Sequence, residues 1–232
     1  MPPRGPIPPC SEVERSLLNH VLRTAEKGNP DSVLKVMDDF CYTQSWMMNI
    51  GDEKGLILDA AVASAKPLRL ALELGTYCGF STVRVARLLP PVAKLVAIDP
   101  SEVPAEVAGP ILEHAGLSNR VELIKGTAAE VLPTLKERGL QFDLLFIDHH
   151  KALYLPDLQR VEELGLLRKG AVVVADNVVL HKTEEYLQHV RQSGRYSSST
   201  LHEAHVEYDA SRADGVEVSV YAGGAVGARA AS

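Results

Sequence analysis

The sequence has few cysteines, no excess of basic residues and no long apolar run. Its three cysteines are odd in number and lack the spacing of zinc ligands, so neither a disulfide framework nor a zinc site is expected. Lys and Arg number 24 against 30 Asp and Glu, a formal net charge of -6, which argues against nucleic acid as a partner. No apolar run approaches the roughly 20 residues of a membrane span. We therefore expect a protein of a reducing, cytoplasmic compartment without a membrane span.

The chain of 232 residues is long enough for one α/β domain with a substantial core. Its N-terminus is rich in proline and lacks the apolar core of a signal peptide, so a disordered leader is expected over 1–10. Small residues predict a flexible tail over 222–232. Between them we expect a single domain over 11–221, with a helical cover over 11–65 and a core over 66–221.

Three segments with helical periodicity come before the first predicted strand. Ser11 and Glu14 match a capping box, Asn29 precedes Pro30 at a second helix start, and a third segment begins at Gly51. Strands and helices then alternate, and a polar tail follows. The strands are predicted at 68–74, 94–98, 121–124, 142–147 and 171–175, with tail segments at 197–203, 205–208 and 216–221. This alternation predicts an α/β fold: a doubly wound, seven-stranded, mostly parallel Rossmann-like sheet with an antiparallel edge and extra N-terminal helices.

Two continuous apolar runs of the predicted sheet each stop at polar residues. Asp148 follows the run at 142–147, and Asp176 with Asn177 follows the run at 171–175. Because ligands collect outside the carboxyl ends of parallel strands, neighbouring strands would bring these side chains to one spot. Ordinary polar strand ends are the alternative, but three hard oxygen donors together favour a small divalent cation, most naturally Mg²⁺.

The first βα turn carries two glycines. Gly75 and Gly79 are separated by three residues, unlike the dinucleotide fingerprint, and no phosphate-loop lysine follows, so a pyrophosphate cradle and a nicotinamide-dependent oxidoreductase are poorly supported. Asp99 ends the second predicted strand, where doubly wound folds bind a ribose diol. The E-x-G-x-x-x-G turn from Glu73 together with this acid is typical of S-adenosylmethionine enzymes, so an adenosyl ligand is favoured.

Four stretches, in order along the chain, resemble the catechol O-methyltransferase family: NIGDEKG (49–55), LELGTYCGFSTVRVARLL (72–89), IDHHKALYLPD (147–157) and EELGLLRKGAVVVADNV (162–178). The resemblance extends from about residue 11 to residue 221. The D-H-x-K-x-x-Y-L-P-D run is the most specific piece, because related caffeoyl-CoA-type enzymes have a different loop there. The resemblance implies a monomeric enzyme that moves a methyl group from S-adenosylmethionine to one hydroxyl of a small catechol, with Mg²⁺.

The resemblance also implies roles for single residues. Asp148, Asp176 and Asn177 would bind Mg²⁺, and Lys151 would be the general base. The substrate would contact Trp46, Met48, Asp148, Lys151, Asn177 and Glu207, with Glu203 as the rival of Glu207 across a length difference. The cofactor would contact Met48, Asn49, Ile50, Glu73, Gly75, Tyr77, Ser81, Asp99, Pro100, Ala128, Asp148 and His149. From composition alone, a buried core is instead the favoured interpretation of the Trp46-Met47-Met48 run.

Several positions depart from the family pattern. His150 stands where a Trp is usual and His181 where a Pro is usual, both on the pocket wall. Ala128 and Ala129 replace a polar Ser-Gln pair near the adenine, and Pro100 replaces a larger apolar residue. Another vicinal-diol phenol, such as a caffeoyl ester or flavonoid, therefore stays open as substrate. A non-catalytic cofactor-binding protein of the same fold is disfavoured, because the residues assigned to the chemistry are intact.

Overall fold

The structure is a computed structural model that describes residues 10–181 and 183–223. Residues 1–9 of the leader predicted over 1–10, Lys182, and residues 224–232 of the tail predicted over 222–232 lie outside the described residues. Cys10, the last residue of the predicted leader, is described and is buried.

Three helices precede the sheet, as the sequence predicted. The Ser11 N–H donates to the Glu14 carboxylate at 2.5 Å, and the Asn29 side chain accepts from the Ser32 N–H at 3.1 Å. These contacts satisfy backbone groups that a helix start leaves free, so they fix where the first two helices begin. The helices are α1 (Glu12–Thr24), α2 (Pro30–Thr43) and α3 (Gly51–Ser64).

The sheet has seven strands in the order β3-β2-β1-β4-β5-β7-β6. The first five are parallel, and β7 pairs antiparallel with both β5 and β6, which confirms the predicted doubly wound, mostly parallel sheet. The strands are β1 (Leu70–Leu74), β2 (Lys94–Asp99), β3 (Val121–Lys125), β4 (Phe142–Ile147), β5 (Leu167–Ala175), β6 (Tyr196–Val206) and β7 (Asp209–Tyr221). The remaining helices are α4 (Phe80–Leu88), α5 (Gly109–His114), α6 (Ala128–Glu137), α7 (Tyr154–Glu163) and α8 (Glu184–Gln192).

Strand β4 shows why its sequence is apolar throughout. All six of its residues are buried, and successive side chains enter different cores. Leu144 and Phe146 pack with the N-terminal helices and α4, whereas Leu145 and Ile147 pack with residues of α6, α7 and α8. Each large apolar side chain buried in this way contributes about 1.5–3 kcal/mol, so helices on both faces stabilise the sheet.

The structure differs from the sequence-based boundaries at several places. Strand β1 begins at Leu70 rather than at 68, and β7 begins at Asp209 rather than at 216. Strand β5 begins at Leu167 rather than at 171, and the segments predicted at 197–203 and 205–208 merge into β6 and its turn. The outer strand β6 is largely polar and exposed, so its sequence carries little of the alternation that marks a strand. The helix predicted over 104–115 is a π-helical turn at Pro104–Ala108 followed by α5. Pro110 has no N–H to donate there, and this interrupts a regular α-helix.

No helix among residues 10–181 and 183–223 has the length and apolar character needed to cross a membrane.

The end of β1 packs directly against the end of β4. Gly75 has φ +98°, and a Cβ there would lie 2.5 Å from the Asp148 carbonyl oxygen. Gly139 offers a comparison, because it has φ +69° but no atom within 4 Å of an added Cβ. Glycine at position 75 therefore serves both the backbone conformation and the close approach of two strand ends.

Gly75→Ala should lower the free energy of unfolding by about 3 kcal/mol, the sum of a left-handed backbone and a clash with Asp148. Gly139→Ala should lose only the conformational part, about 1–2 kcal/mol. Urea unfolding followed by circular dichroism measures both. Equal losses in the two variants would contradict the tight packing assigned to Gly75.

Candidate active site

The floor of the candidate site is built from the carboxyl ends of β4 and β5. These strands are parallel neighbours with Ile147 opposite Ala175, so Asp148 and Asp176 follow at the same edge. The Asp148 N–H donates to the Leu74 carbonyl at 2.9 Å, and the Asp176 N–H donates to the Ile147 carbonyl at 3.1 Å. Backbone hydrogen bonds thus hold the first residue after each strand in place.

Each predicted metal ligand has one oxygen without a hydrogen-bond partner among residues 10–181 and 183–223. Asp176 Oδ1 is buried and has no hydrogen-bond partner among the described residues, although Lys54 donates to Oδ2 at 2.9 Å. Asn177 has φ +55°, and its Nδ2 donates to Asp214 Oδ2 at 2.7 Å. Because a carboxylate only accepts, this bond turns the amide oxygen of Asn177 away from Asp214. Lys151 donates to Asp148 Oδ1 at 2.7 Å, which leaves Oδ2.

This donor set fits a small oxygen-liganded cation. Burial raises the pKa of Asp176 to about 7; the Asp148 charge also raises it, while the Lys54 ammonium lowers it. A cation beside the unpartnered Oδ1 would stabilise the ionised carboxylate. Within the described part of the chain, no three His, Cys, Asp or Glu side chains form a metal-binding group. The candidate ligands are instead two carboxylates and one amide.

Lys151 lies above this floor on a short 3₁₀ turn, Lys151–Leu153. Its Nζ donates to Asp148 Oδ1 at 2.7 Å and to the Tyr154 hydroxyl at 2.6 Å. Tyr154 is fully buried and donates to the Asp176 carbonyl at 3.0 Å. Burial raises the pKa of Tyr154 well above its ordinary value, so this hydroxyl stays neutral. Tyr154 thus connects Lys151 with Asp176 after β5, while Lys151 itself contacts Asp148 after β4.

The first βα turn lies beside the floor and contains a buried acid. Glu73 accepts from the Ser81 hydroxyl at 2.5 Å and from the Thr82 hydroxyl at 2.6 Å. Burial raises the pKa of Glu73 to about 8, although these two hydrogen bonds lower it. Tyr77, next along the turn, has φ +47° and is partly buried. A ligand with positive charge at this turn would favour the ionised form of Glu73.

Asp99 ends β2 as predicted, but its carboxylate is already fully used. Oδ2 accepts from the Thr76 and Tyr77 N–H groups at 3.0 Å each. Oδ1 accepts from the Ser101 N–H at 2.8 Å and the Ser101 hydroxyl at 2.6 Å. Since a carboxylate offers about four acceptor positions, a ribose hydroxyl would have to replace the Ser101 hydroxyl.

The remaining predicted cofactor residues lie near the same edge. His149 Nε2 is 2.8 Å from Asp157 Oδ2, and its ring stacks on Tyr154 with centroids 5.4 Å apart. Its Nδ1 is buried without a partner among the described residues, so this nitrogen is available to a ligand. Pro100 directly follows β2, and Ala128, which is buried, begins α6 after β3.

The Trp46-Met47-Met48 run is divided between core and surface. Met47 is buried, but Trp46 is 53% exposed and Met48 60% exposed, so the interpretation of the whole run as core is wrong. Trp46 Nε1 donates to the Glu207 carbonyl at 3.1 Å. The indole thus lies against the β6–β7 turn, where an apolar wall of a pocket can form.

Asn49 and Ile50 are buried behind this wall. The Asn49 side chain donates to Cys41 Sγ at 3.3 Å and to the Tyr208 hydroxyl at 3.4 Å. Its amide nitrogen is therefore engaged with α2 and the β6–β7 turn, within the protein.

The β6–β7 turn brings Glu207, and not Glu203, to the site. Glu207 Oε2 accepts from Lys54 at 3.1 Å, and its side chain is 8% exposed. Glu203 lies on β6 opposite Gly215 and is exposed. Of the two rival acids, only Glu207 joins the carboxylates of the floor.

Lys54 and Asp214 complete the site, and sequence reasoning did not assign them. Lys54 is fully buried and donates to Asp176 and Asp214 at 2.9 Å each, as well as to Glu207. Burial lowers the pKa of Lys54, but the three carboxylates raise it more, so the ammonium stays charged. The sequence did contain an indication that Lys54 is buried. Lys54 lies at helical spacing from Gly51, Gly55, Leu58 and Val62, which are all buried.

His150 and His181, which the resemblance assigned to the pocket wall, are exposed. His150 Nδ1 accepts from the Ala152 N–H at 3.3 Å and so caps the turn that carries Lys151. Partial burial and then the Lys151 charge lower the pKa of His181.

Comparisons with known proteins agree with this architecture. The O-methyltransferase family model matches residues 25–196. The chain is 45% identical to catechol O-methyltransferase B of Danio rerio, over 89% of this chain and 78% of that protein. It is 42% identical to the catechol O-methyltransferase of Mus musculus, over 90% of this chain and 79% of that protein.

A solved structure gives the same result. An O-methyltransferase of Streptomyces achromogenes involved in tomaymycin synthesis, solved in complex with SAM, superposes with a TM-score of 0.66 at 26% identity. The match covers 92% of this chain and 91% of that one.

Proposed function

The chain belongs to the O-methyltransferase family, and we propose that it transfers the methyl group of S-adenosylmethionine to one hydroxyl of a catechol in a magnesium-dependent reaction. The observation that carries the proposal is the meeting of Asp148, Asp176 and Asn177 with Lys151 at one sheet edge. The cofactor turn that contains Glu73 lies beside this edge, at the end of the neighbouring strand β1.

The proposed metal ligands are the free oxygens at that edge. Asp176 would bind through its buried Oδ1, Asn177 through its amide oxygen and Asp148 through Oδ2. Mg²⁺ held there would stabilise the catechol oxyanion and fix the diol in orientation. The buried, unpartnered Asp176 Oδ1 supports this assignment, because an isolated buried acceptor is costly unless a ligand satisfies it.

The substrate would lie between the apolar wall and the acidic floor. Trp46 and Met48 offer exposed apolar surface, and Glu207 Oε1 has no hydrogen-bond partner among the described residues. Glu207 would accept a hydrogen bond from the hydroxyl that is not methylated. Lys151, which already reaches Asp148 Oδ1 at 2.7 Å, would remove the proton from the reacting hydroxyl.

The methyl transfer itself is a displacement at carbon. The deprotonated oxygen forms a bond to the methyl carbon as the carbon–sulfur bond breaks, and sulfur keeps the electron pair of that bond. The hydroxyl proton ends on Lys151 Nζ, which accepts it as the neutral amine and becomes an ammonium. Holding the oxygen in line with the methyl group can supply roughly 7–11 kcal/mol of the barrier, so positioning is the main contribution expected of the protein.

The proposal extends to substrate range and setting. His150 and His181 are exposed and depart from the family pattern, so another vicinal-diol phenol, such as a caffeoyl ester or flavonoid, is an alternative substrate. Cys10, Cys41 and Cys78 are free thiols, which supports a reducing, cytoplasmic setting. Resemblance to the family supports a monomer.

Transfer of a labelled methyl group from S-adenosylmethionine to a simple catechol tests the function. With Mg²⁺ we expect labelled monomethyl product, and with EDTA nearly none, because the oxyanion loses its stabilisation. A caffeoyl ester and a flavonoid in the same assay rank the alternatives. Equal product formation in EDTA would exclude the metal-dependent reaction.

Lys151→Ala should lower kcat by about 10²–10⁴-fold, because the reacting hydroxyl loses its base. The dissociation constant for S-adenosylmethionine, measured by calorimetry, should change by no more than about twofold, since Lys151 contacts Asp148 and Tyr154 rather than the Glu73 turn. Lys35→Ala, which removes an exposed lysine of α2, is the matched control and should keep full activity. Loss of cofactor binding in proportion to kcat would contradict the role of base.

A further inference from the structure

Lys54 occupies a position where a lysine is unfavourable by itself. It lies in the first turn of α3, where the helix dipole repels a cation, and it is fully buried. A buried ammonium at a helix start is stable only with strong compensation. That compensation comes from acids far away in the sequence, since Lys54 and Asp214 are 160 positions apart.

The ammonium uses all of its donors on three different carboxylates. An ammonium has three N–H groups, and Lys54 bonds to one oxygen each of Asp176, Glu207 and Asp214, at 2.9, 3.1 and 2.9 Å. Lys54 therefore engages one oxygen of each acid, and the other oxygen of Asp214, Oδ1, accepts from the Leu180 N–H at 3.0 Å. Asp176 can offer a cation only its Oδ1, and the other two acids are held to Lys54.

The same cluster fixes a second candidate ligand. Asp214 Oδ2 accepts from both Lys54 and the Asn177 amide nitrogen. Through Asp214, Lys54 thus influences the direction of the Asn177 amide oxygen as well as that of Asp176. Lys54 thus contacts Asp176 directly and Asn177 only through Asp214, whose Oδ1 also accepts from the Leu180 N–H at 3.0 Å.

We propose that Lys54 is a positioning residue that selects the cation by withholding carboxylate oxygens, an inference that rests on the proposed metal-dependent function. Mg²⁺ takes six ligands in strict octahedral geometry and uses few carboxylates, whereas Ca²⁺ takes six to eight oxygens and accepts bidentate carboxylates. With Lys54 in place, the site offers three protein oxygens and leaves the other positions for the substrate diol and water. Without it, Asp176 can bind through both oxygens and Glu207 is free to turn inward, whereas Asp214 stays bonded to the Leu180 N–H and the Asn177 amide.

The net charge of the carboxylate cluster also predicts that loss of Lys54 changes the cation preference. Asp148, Asp176, Glu207 and Asp214 share two ammonium groups, those of Lys54 and Lys151. Loss of Lys54 makes the cluster more acidic and strengthens the binding of any divalent cation. The affinity for Ca²⁺ should rise more than the affinity for Mg²⁺, because the larger ion can use the released oxygens without strict geometry.

Isothermal titration with MgCl₂ and with CaCl₂ tests the inference without any activity measurement. The wild-type protein should bind Mg²⁺ at least as tightly as Ca²⁺. In Lys54→Met, the ratio of Ca²⁺ affinity to Mg²⁺ affinity should rise about tenfold or more. Asp148→Ala is the control that assigns the measured heat of binding to this site, since this variant should bind neither ion.

A second variant covers the case in which Lys54→Met does not fold. Lys54→Met combined with Asp214→Asn removes one charge of each sign and still releases Asp176 Oδ2 and Glu207 Oε2. It should show the raised Ca²⁺ preference, whereas Asp214→Asn alone, which keeps Lys54 on Asp176 and Glu207, should keep the wild-type preference.

The outcomes separate the inference from the function on which it rests. Mg²⁺ binding by the wild-type protein with an unchanged ion ratio in the Lys54 variants would overturn the inference alone. A wild-type preference for Ca²⁺ over Mg²⁺ by about tenfold or more would also overturn it. Binding of neither ion by the wild-type protein would overturn the metal-dependent function and the inference together.

Discussion

The active-site region depends on the neutralisation of four carboxylates that meet at one buried edge of the sheet. Asp148, Asp176, Glu207 and Asp214 would repel one another there, and each would be costly to bury alone. Lys54 contacts three of them and Lys151 contacts the fourth. Because two positive charges face four negative ones, the edge keeps an acidic surplus, which is the electrostatic condition for holding a divalent cation.

Several elements of the fold bring residues to this edge. The parallel register of β4 and β5 places Asp148 and Asp176 side by side, and Gly75 lets β1 end close to Asp148. The β6–β7 hairpin then brings Glu207 and Asp214 over the strand ends. Helix α3, which the sequence suggested was only a cover, supplies Lys54 to the centre of the cluster. Helix α3 is thus part of the candidate site and not merely a layer over the sheet.

Much of this could be predicted from the sequence because it rests on local signals. Apolar runs ending at Asp148 and Asp176 marked two strands and their shared edge, and the glycines at 75 and 79 marked the first βα turn. The resemblance to catechol O-methyltransferases is confirmed by the match to the family and by relatives that are 39–45% identical to the chain over the aligned residues. Glu207 was assigned by that resemblance, and the hairpin geometry explains why it rather than Glu203 reaches the floor.

The rest depends on contacts between residues far apart in the chain, which local patterns do not encode. Nothing near Lys54 indicates its pairing with Asp214, and nothing near Asp99 shows that Ser101 and two backbone amides already fill its carboxylate. The exposure of Trp46 was also hidden, because an indole beside two methionines has the composition of a core. In each case, tertiary packing decides the role of a residue whose type alone allows several roles.

The central claim is that the unused oxygens of Asp148, Asp176 and Asn177 form a cation site. The most direct measurement is anomalous diffraction from crystals grown with Mn²⁺, an ion that prefers the same oxygen ligands and scatters anomalously. We predict one strong peak within coordination distance of all three side chains, including Asp176 Oδ1. Mn²⁺ bound elsewhere, with none at this edge in crystals of active protein, would contradict the account.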